Sequence, residues 1–158
     1  MKSEQTLTRR YRILVVDDHP MMRAGLAAHV CDESDLEVCG QAEGMDDALK
    51  AIVDSKPDLA IIDISLKESH GIDLVKEVKA RYPDLKMLVL SAFKESLYAE
   101  RALRAGAMGY LNKQETDVQI LKAIRTILAG ERYVSAAMTQ RLVGQAIGAD
   151  VARKNPIE

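Results

Sequence analysis

The chain alternates between two kinds of apolar pattern. Three short continuous runs, Ile13 to Val16, Leu59 to Ile62 and Met87 to Leu90, are apolar at every position. Such runs fit strands buried on both faces, as in a parallel sheet covered by helices. Leu36 to Ala42 reads as an edge strand, and Gly109 to Asn112 as a short but well-bounded one. Between them the spacing changes to three and four. Met22, Leu26 and Val30 form one helical stripe; Met45, Ala48, Leu49 and Ile52 a second; Ile72, Val75, Val78 and Tyr82 a third; Leu121, Ile124 and Leu128 another. From Ser96 to Ala105 the stripe is mostly alanine with Leu97 and Leu103, so a helix there should be loosely held. Pro57 and Pro83 follow helices and precede strands, where proline ends a helix at little cost.

Strand and helix thus alternate five times before about residue 130. This order predicts an α/β fold with a five-stranded parallel sheet and right-handed crossovers. Beyond Gly130, Ser135 is placed to cap one more helix, with Met138, Leu142 and Ile147 as its apolar positions. The expected organisation is a flexible tail over 1–11, one domain over 12–130, and a C-terminal helix and linker over 131–158.

Composition narrows the function. With 158 residues, 47% apolar content and a formal charge of -2, the chain can bury its own core and is not built to remain disordered. The charge balance lacks the basic excess of a nucleic-acid-binding domain. No apolar run approaches the roughly 20 residues that span a bilayer, and the polar N-terminus lacks a signal-peptide core. Two cysteines, Cys31 and Cys39, are too few for a disulfide framework, and no Cys/His cluster has zinc-ligand spacing. A reducing, cytoplasmic setting is expected.

The candidate chemistry lies at the strand ends. Asp17 and Asp18 follow the first strand, Asp63 ends the third, Ser91 ends the fourth and Lys113 follows the fifth. In an open parallel sheet these ends share one edge, where ligands bind. Three carboxylates in close quarters repel one another unless a cation joins them. Mg²⁺ suits them, because it takes a few carboxylates and keeps waters for an incoming phosphate. One carboxylate could then attack phosphorus, while the metal and the lysine neutralise the transferring group. Alone, the acid pair is more often a solvated turn, and the others read as ordinary loop or surface residues; the joint pattern carries the argument.

The stretches "ILVVDDHPMMRAGL", "PDLAIIDISL", "HGIDLVKEVK", "MLVLSA" and "ALRAGAMGYLNK" together resemble the receiver domain of two-component response regulators, over roughly residues 12 to 130. The forms "DDHPMMRAGL" and "GYLNKQETDVQILKAIRTILAGERYVS" look most like the NarL/FixJ (LuxR-type) subfamily. The resemblance implies a flavodoxin-like, doubly wound (βα)5 fold and a phosphorylation-activated switch rather than a turnover enzyme. Asp63 would be the phosphoacceptor, served by a sensor histidine kinase. Asp17, Asp18, Asp63 and the backbone carbonyl of Ser65 would hold Mg²⁺. Ser91 and Lys113 would bind the phosphoryl oxygens. Tyr110 would be the aromatic switch, its ring turning from solvent to interior as Ser91 is drawn toward the phosphoryl group; plain packing at a strand edge is the equal alternative. Phosphorylation-dependent self-association would follow.

The sequence departs from the family at Leu66-Lys67, where Met-Pro is common, at His70, where Asp or Asn is common, and at Gln114, where proline is common. The first two bear on loop stiffness and phosphate lifetime. NarL-type regulators carry a helix-turn-helix domain after the receiver. Residues 131–158 are too few for one, so this chain should not bind DNA specifically, and "ARKNPIE" reads as the start of a linker to an effector domain. Two rivals fit less well. Aspartate-nucleophile phosphatases need a "DxDx[TV]" motif after the first strand, and a flavin-binding domain needs a Ser/Thr/Gly-rich phosphate loop there. A stand-alone or degenerate receiver acting as an interaction module is the alternative that an assay of phosphorylation separates.

Overall fold

The computed structural model describes residues 10–64, 71–91, 97–113, 117–134 and 140. Five strands, β1 (Tyr11–Val16), β2 (Leu36–Ala42), β3 (Leu59–Asp63), β4 (Lys86–Ser91) and β5 (Gly109–Asn112), alternate with five helices. The helices are α1 (Pro20–Cys31), α2 (Met45–Ser55), α3 (Gly71–Arg81), α4 (Leu97–Ala105) and α5 (Asp117–Leu128). All strand pairs are parallel, in the order β2-β1-β3-β4-β5. The parallel α/β sheet expected from the alternation, and the flavodoxin-like form implied by the resemblance, are the ones observed. The expected helix around Met138, Leu142 and Ile147, and the tail through residue 9, lie outside the described residues.

The continuous apolar runs become the three central strands because both of their faces are covered. Leu14, Val16, Ala60, Ile62, Met87, Val89 and Tyr110 point into one core, against α2, α3 and α4. Their neighbours Ile13, Val15, Leu59, Ile61, Leu88, Leu90 and Leu111 point into the other, against α1 and α5. This strict alternation follows from the twofold repeat of a strand. It puts Tyr110 under α4, whose inner face is built from Ala99, Ala102 and Leu103.

Two helical stripes differ from the spacing read in the sequence. In α1, Val30 is buried, Leu26 only partly, and Met22 is exposed; Ala27 supplies the other buried contact. In α5, the buried positions are Ile120, Ala123, Ile124 and Ile127, while Leu121 and Leu128 are only partly buried. Both helices carry more apolar residues than their inner face can take, and the choice among them is made by packing against the sheet. At its outer face, α5 is tied to the turn before β2. Arg125 donates to Glu33 Oε1 at 2.6 Å and to Asp35 Oδ1 at 2.9 Å. The hydrogen bond from Arg125 holds the Asp35 carboxyl below its ordinary range, and the same two acids keep the guanidinium charged.

After α5 the chain comes back to the sheet. Tyr133 N–H donates to the Met108 carbonyl at 2.9 Å, and Tyr110 N–H donates to the Tyr133 carbonyl at 3.2 Å. The Tyr133 hydroxyl donates to Gln119 Oε1 on α5. Gly109 fits this crowded edge because a Cβ there would lie 2.7 Å from Ile127 Cδ1 and 3.0 Å from the Tyr133 carbonyl.

Candidate functional site

The strand order reverses between β1 and β3, and the carboxyl ends of these two strands are where such sheets form their binding crevice. β1 delivers Asp17 and Asp18; β3 delivers Asp63. Asp17 N–H bonds to the Ala42 carbonyl at 3.0 Å, which extends the ladder to the first acid. From α1, Arg23 Nη1 holds the Asp17 carbonyl at 2.7 Å. Asp17 and Asp63 are almost fully buried, at 2% and 1% exposure.

Lys113 reaches this pocket from the end of β5. Its backbone N–H bonds to the Ser91 carbonyl at 2.7 Å, which fixes the start of its side chain. Its Nζ then lies 2.7 Å from Asp63 Oδ2 and 3.4 Å from Asp17 Oδ2. Ser91 is buried at the end of β4, the strand beside β3. The structure thus brings Asp17, Asp18, Asp63, Ser91 and Lys113 to one edge. The Ser65 carbonyl, the loop at Leu66-Lys67, His70 and Gln114 lie outside the described residues.

His19, which the sequence marks only as the residue before a helix, also stands in this site. Its Nδ1 lies 3.0 Å from Asp17 Oδ1, 3.0 Å from Asp18 Oδ1 and 3.6 Å from Asp63 Oδ2. His19 N–H also donates to Asp17 Oδ1 at 2.9 Å. Donor atoms of Asp17, Asp18, His19 and Asp63 all fall within 4.8 Å of one another, close enough to hold one metal ion. The donor set is mostly hard carboxylate oxygen, which fits Mg²⁺. Beside these acids, a groove of about 320 Å³ is lined by α1 residues Met21, Met22 and Leu26, by Ile120 of α5, and by Asp17 and Lys113.

Tyr110 is only 2% exposed. The expectation that its ring starts in solvent does not describe this structure, where the ring is already part of the core under α4. The reason is local. Tyr110 points to the α2–α4 face of β5, and the alanines of α4 leave room there for a large ring.

The sequence profile of the response regulator receiver domain matches residues 13–125. The chain belongs to this family, the signal-receiving switches of two-component systems. It is 34% identical over 131 residues to the response regulator GacA of Pseudomonas viridiflava, covering 83% of this chain and 61% of that protein. It therefore spans about three-fifths of the length of that relative. Among solved structures, a LuxR-family two-component response regulator from Aurantimonas sp. SI85-9A1 superposes with a TM-score of 0.79 at 27% identity, over 87% of this chain and 99% of that one. The receiver domain of the response regulator NarL from Mycobacterium tuberculosis gives 0.73 at 29% identity, over 78% and 99%. The likeness to the NarL/LuxR type is thus present in both sequence and fold. No helix among the described residues is long and apolar enough to cross a membrane.

Proposed function

We propose that this receiver accepts a phosphoryl group on Asp63 from a sensor histidine kinase, in the cytoplasm, with Mg²⁺ held by Asp17, Asp18, Asp63 and the Ser65 carbonyl. The observation that carries this reading is the contact between Lys113 Nζ and Asp63 Oδ2 at 2.7 Å, beside two further carboxylates. Phosphoryl transfer needs an acceptor oxygen and positive charge around the equatorial oxygens.

An Asp63 carboxylate oxygen attacks phosphorus. The new O–P bond forms as the donor's P–N bond breaks, and that electron pair returns to the donor imidazole. Lys113, released from its direct bond to the free carboxylate, follows the charge onto a phosphoryl oxygen. Ser91 supplies a hydroxyl to another. Mg²⁺ would neutralise phosphoryl charge and offset the repulsion among the acids. The groove beside Asp17 and Lys113 gives a partner access from the α1 side.

The added charge, about -1.5 to -2 by analogy with other phosphorylated side chains, is the signal. We assign the response to Ser91 and Tyr110, with self-association of the phosphorylated form, and transcriptional output to a helix-turn-helix domain of the full-length regulator. The chain is a switch that gains and loses one group, not a turnover enzyme. Acetyl phosphate with Mg²⁺ should add one phosphoryl mass, lost in Asp63→Asn and in excess EDTA. A fully phosphorylated Asp63→Asn protein would refute the assignment. An unmodified parent protein that still binds a partner would favour the interaction-module alternative.

A further inference from the structure

We infer that His19 is a ligand of the metal, so that the site is a mixed nitrogen–oxygen site and favours borderline ions such as Co²⁺ and Ni²⁺ more than an all-oxygen receiver site would. The inference rests on reading the acidic cluster as a metal site, and adds a donor to it.

His19 is the residue that begins α1. At this position a side chain ordinarily accepts a hydrogen bond from the first turn of the helix. The His19 side chain makes no such bond, and Pro20 starts the helix instead. The ring is turned onto the acids, with Nδ1 at 3.0 Å from one oxygen of each neighbouring aspartate. Two ligands at right angles on a small ion, each at roughly 2.1 Å, lie about 3.0 Å apart. The spacing of Nδ1 from Asp17 Oδ1 and Asp18 Oδ1 is thus that of adjacent ligands. Asp63 Oδ2 lies 3.6 Å from Nδ1, and donor atoms of all four residues fall within 4.8 Å of one another.

Two local features keep the ring there. His19 N–H is bonded to Asp17 Oδ1, which closes a tight turn over the acid pair. Arg23 fixes the Asp17 carbonyl from one turn farther along α1. Nδ1 carries a proton when it donates to Asp17, whereas a ligating Nδ1 offers its lone pair and leaves the proton on Nε2. Imidazole adds little for hard Mg²⁺ but strengthens binding of Co²⁺ and Ni²⁺, so its effect falls on selectivity.

The test uses the 158-residue chain and its His19→Ala variant. The variant keeps the backbone N–H to Asp17 and loses no helix cap, and circular dichroism checks that it is folded. Pulsed electron paramagnetic resonance of bound Mn²⁺ should show a directly coordinated nitrogen in the parent and none in the variant. Competition titrations should show the preference for Co²⁺ over Mg²⁺ falling about tenfold in the variant, with Mg²⁺ affinity changed less than about twofold. Absence of nitrogen coupling in the parent would overturn the inference. So would an unchanged Co²⁺ to Mg²⁺ ratio, or a variant that binds both ions more tightly, which would make the ring a competing cation. If Asp63 still takes up phosphate with Mg²⁺ in those cases, only the role of His19 falls. If neither ion binds the cluster, the proposed function falls with it.

Discussion

Lys113 Nζ donates to Asp63 Oδ2 at 2.7 Å across fifty positions of sequence, and stands 3.4 Å from Asp17 Oδ2. One ammonium therefore bridges the acids of two neighbouring strands. Its side chain is 11% exposed and those of the acids 3% and 1%, so water screens the cluster little. Removing one partner of a buried pair leaves the others uncompensated. Lys113→Met should cost about 3 kcal/mol of stability in EDTA. Saturating Mg²⁺ should restore part of it, by supplying charge at the same oxygens. Urea unfolding of parent and variant, with and without the ion, measures both effects; equal stabilities in EDTA would contradict the assigned role of the lysine.

Gly71 begins α3 directly over the end of β3. A Cβ there would lie 2.2 Å from Ile64 Cα and 2.6 Å from the Asp63 carbonyl. Both are backbone atoms, so the helix itself must move. Gly71→Ala should cost about 2–3 kcal/mol and slow phosphoryl uptake at Asp63 by displacing that strand end. Gly25, inside α1, has nothing within 4 Å of such a Cβ. Gly25→Ala should instead stabilise by about 1 kcal/mol through helix propensity alone. Paired melting curves distinguish the two glycines.

Tyr110 fills the core beneath α4 at 2% exposure. Tyr110→Ala should lose about 3–5 kcal/mol, the range for deleting a buried aromatic ring. Tyr110→Phe, which keeps the ring, should lose far less. Chemical denaturation tests this directly. Near-equal losses for the two variants would mean that the hydroxyl, not the ring, is what the fold uses.

The Asp35–Arg125 pair should make a pH-dependent contribution. Hydrogen bonding from Arg125 lowers the Asp35 carboxyl pKa in the folded chain. Stability from a depressed carboxyl is fully present above its unfolded value of roughly 3.9, and is lost as pH falls through the folded value. The side chains are 39% and 44% exposed, so screening limits the gain to about 1 kcal/mol or less. Arg125→Gln should therefore be less stable than the parent at neutral pH and nearly equal to it well below pH 3.9. Unfolding curves across that range would show the difference closing; a constant difference would place the effect of Arg125 elsewhere.

The strand centres were legible because both faces of the sheet are buried. Ile13, Leu14, Val15 and Val16 each have 0–1% exposure, so hydropathy alone marks them. It does not mark the start of β1 at Tyr11, where pairing is set by polar contacts. Tyr11 N–H bonds to the Asp35 carbonyl and Arg12 N–H to Asp58 Oδ2. Asp17, Asp18, Asp63, Ser91 and Lys113 could be placed at one edge because each ends a recognisable strand. His19 could not, since its position after an acid pair reads as an ordinary helix start. Only the folded chain shows its ring turned onto the acids. Tyr133 escaped for a related reason: its part in the sheet is made with backbone atoms, which any residue type carries.

That return of the chain gives the sheet unlike borders. An exposed strand border is a template for another strand, which is how proteins recruit extended peptides and also how they aggregate. On the β5 side, the Tyr110 N–H and the Met108 carbonyl are already engaged by Tyr133. A visiting peptide cannot extend the sheet past these positions without first displacing the protein's own chain. The border beside Tyr110 is thus protected from strand-by-strand assembly by the residues that follow α5.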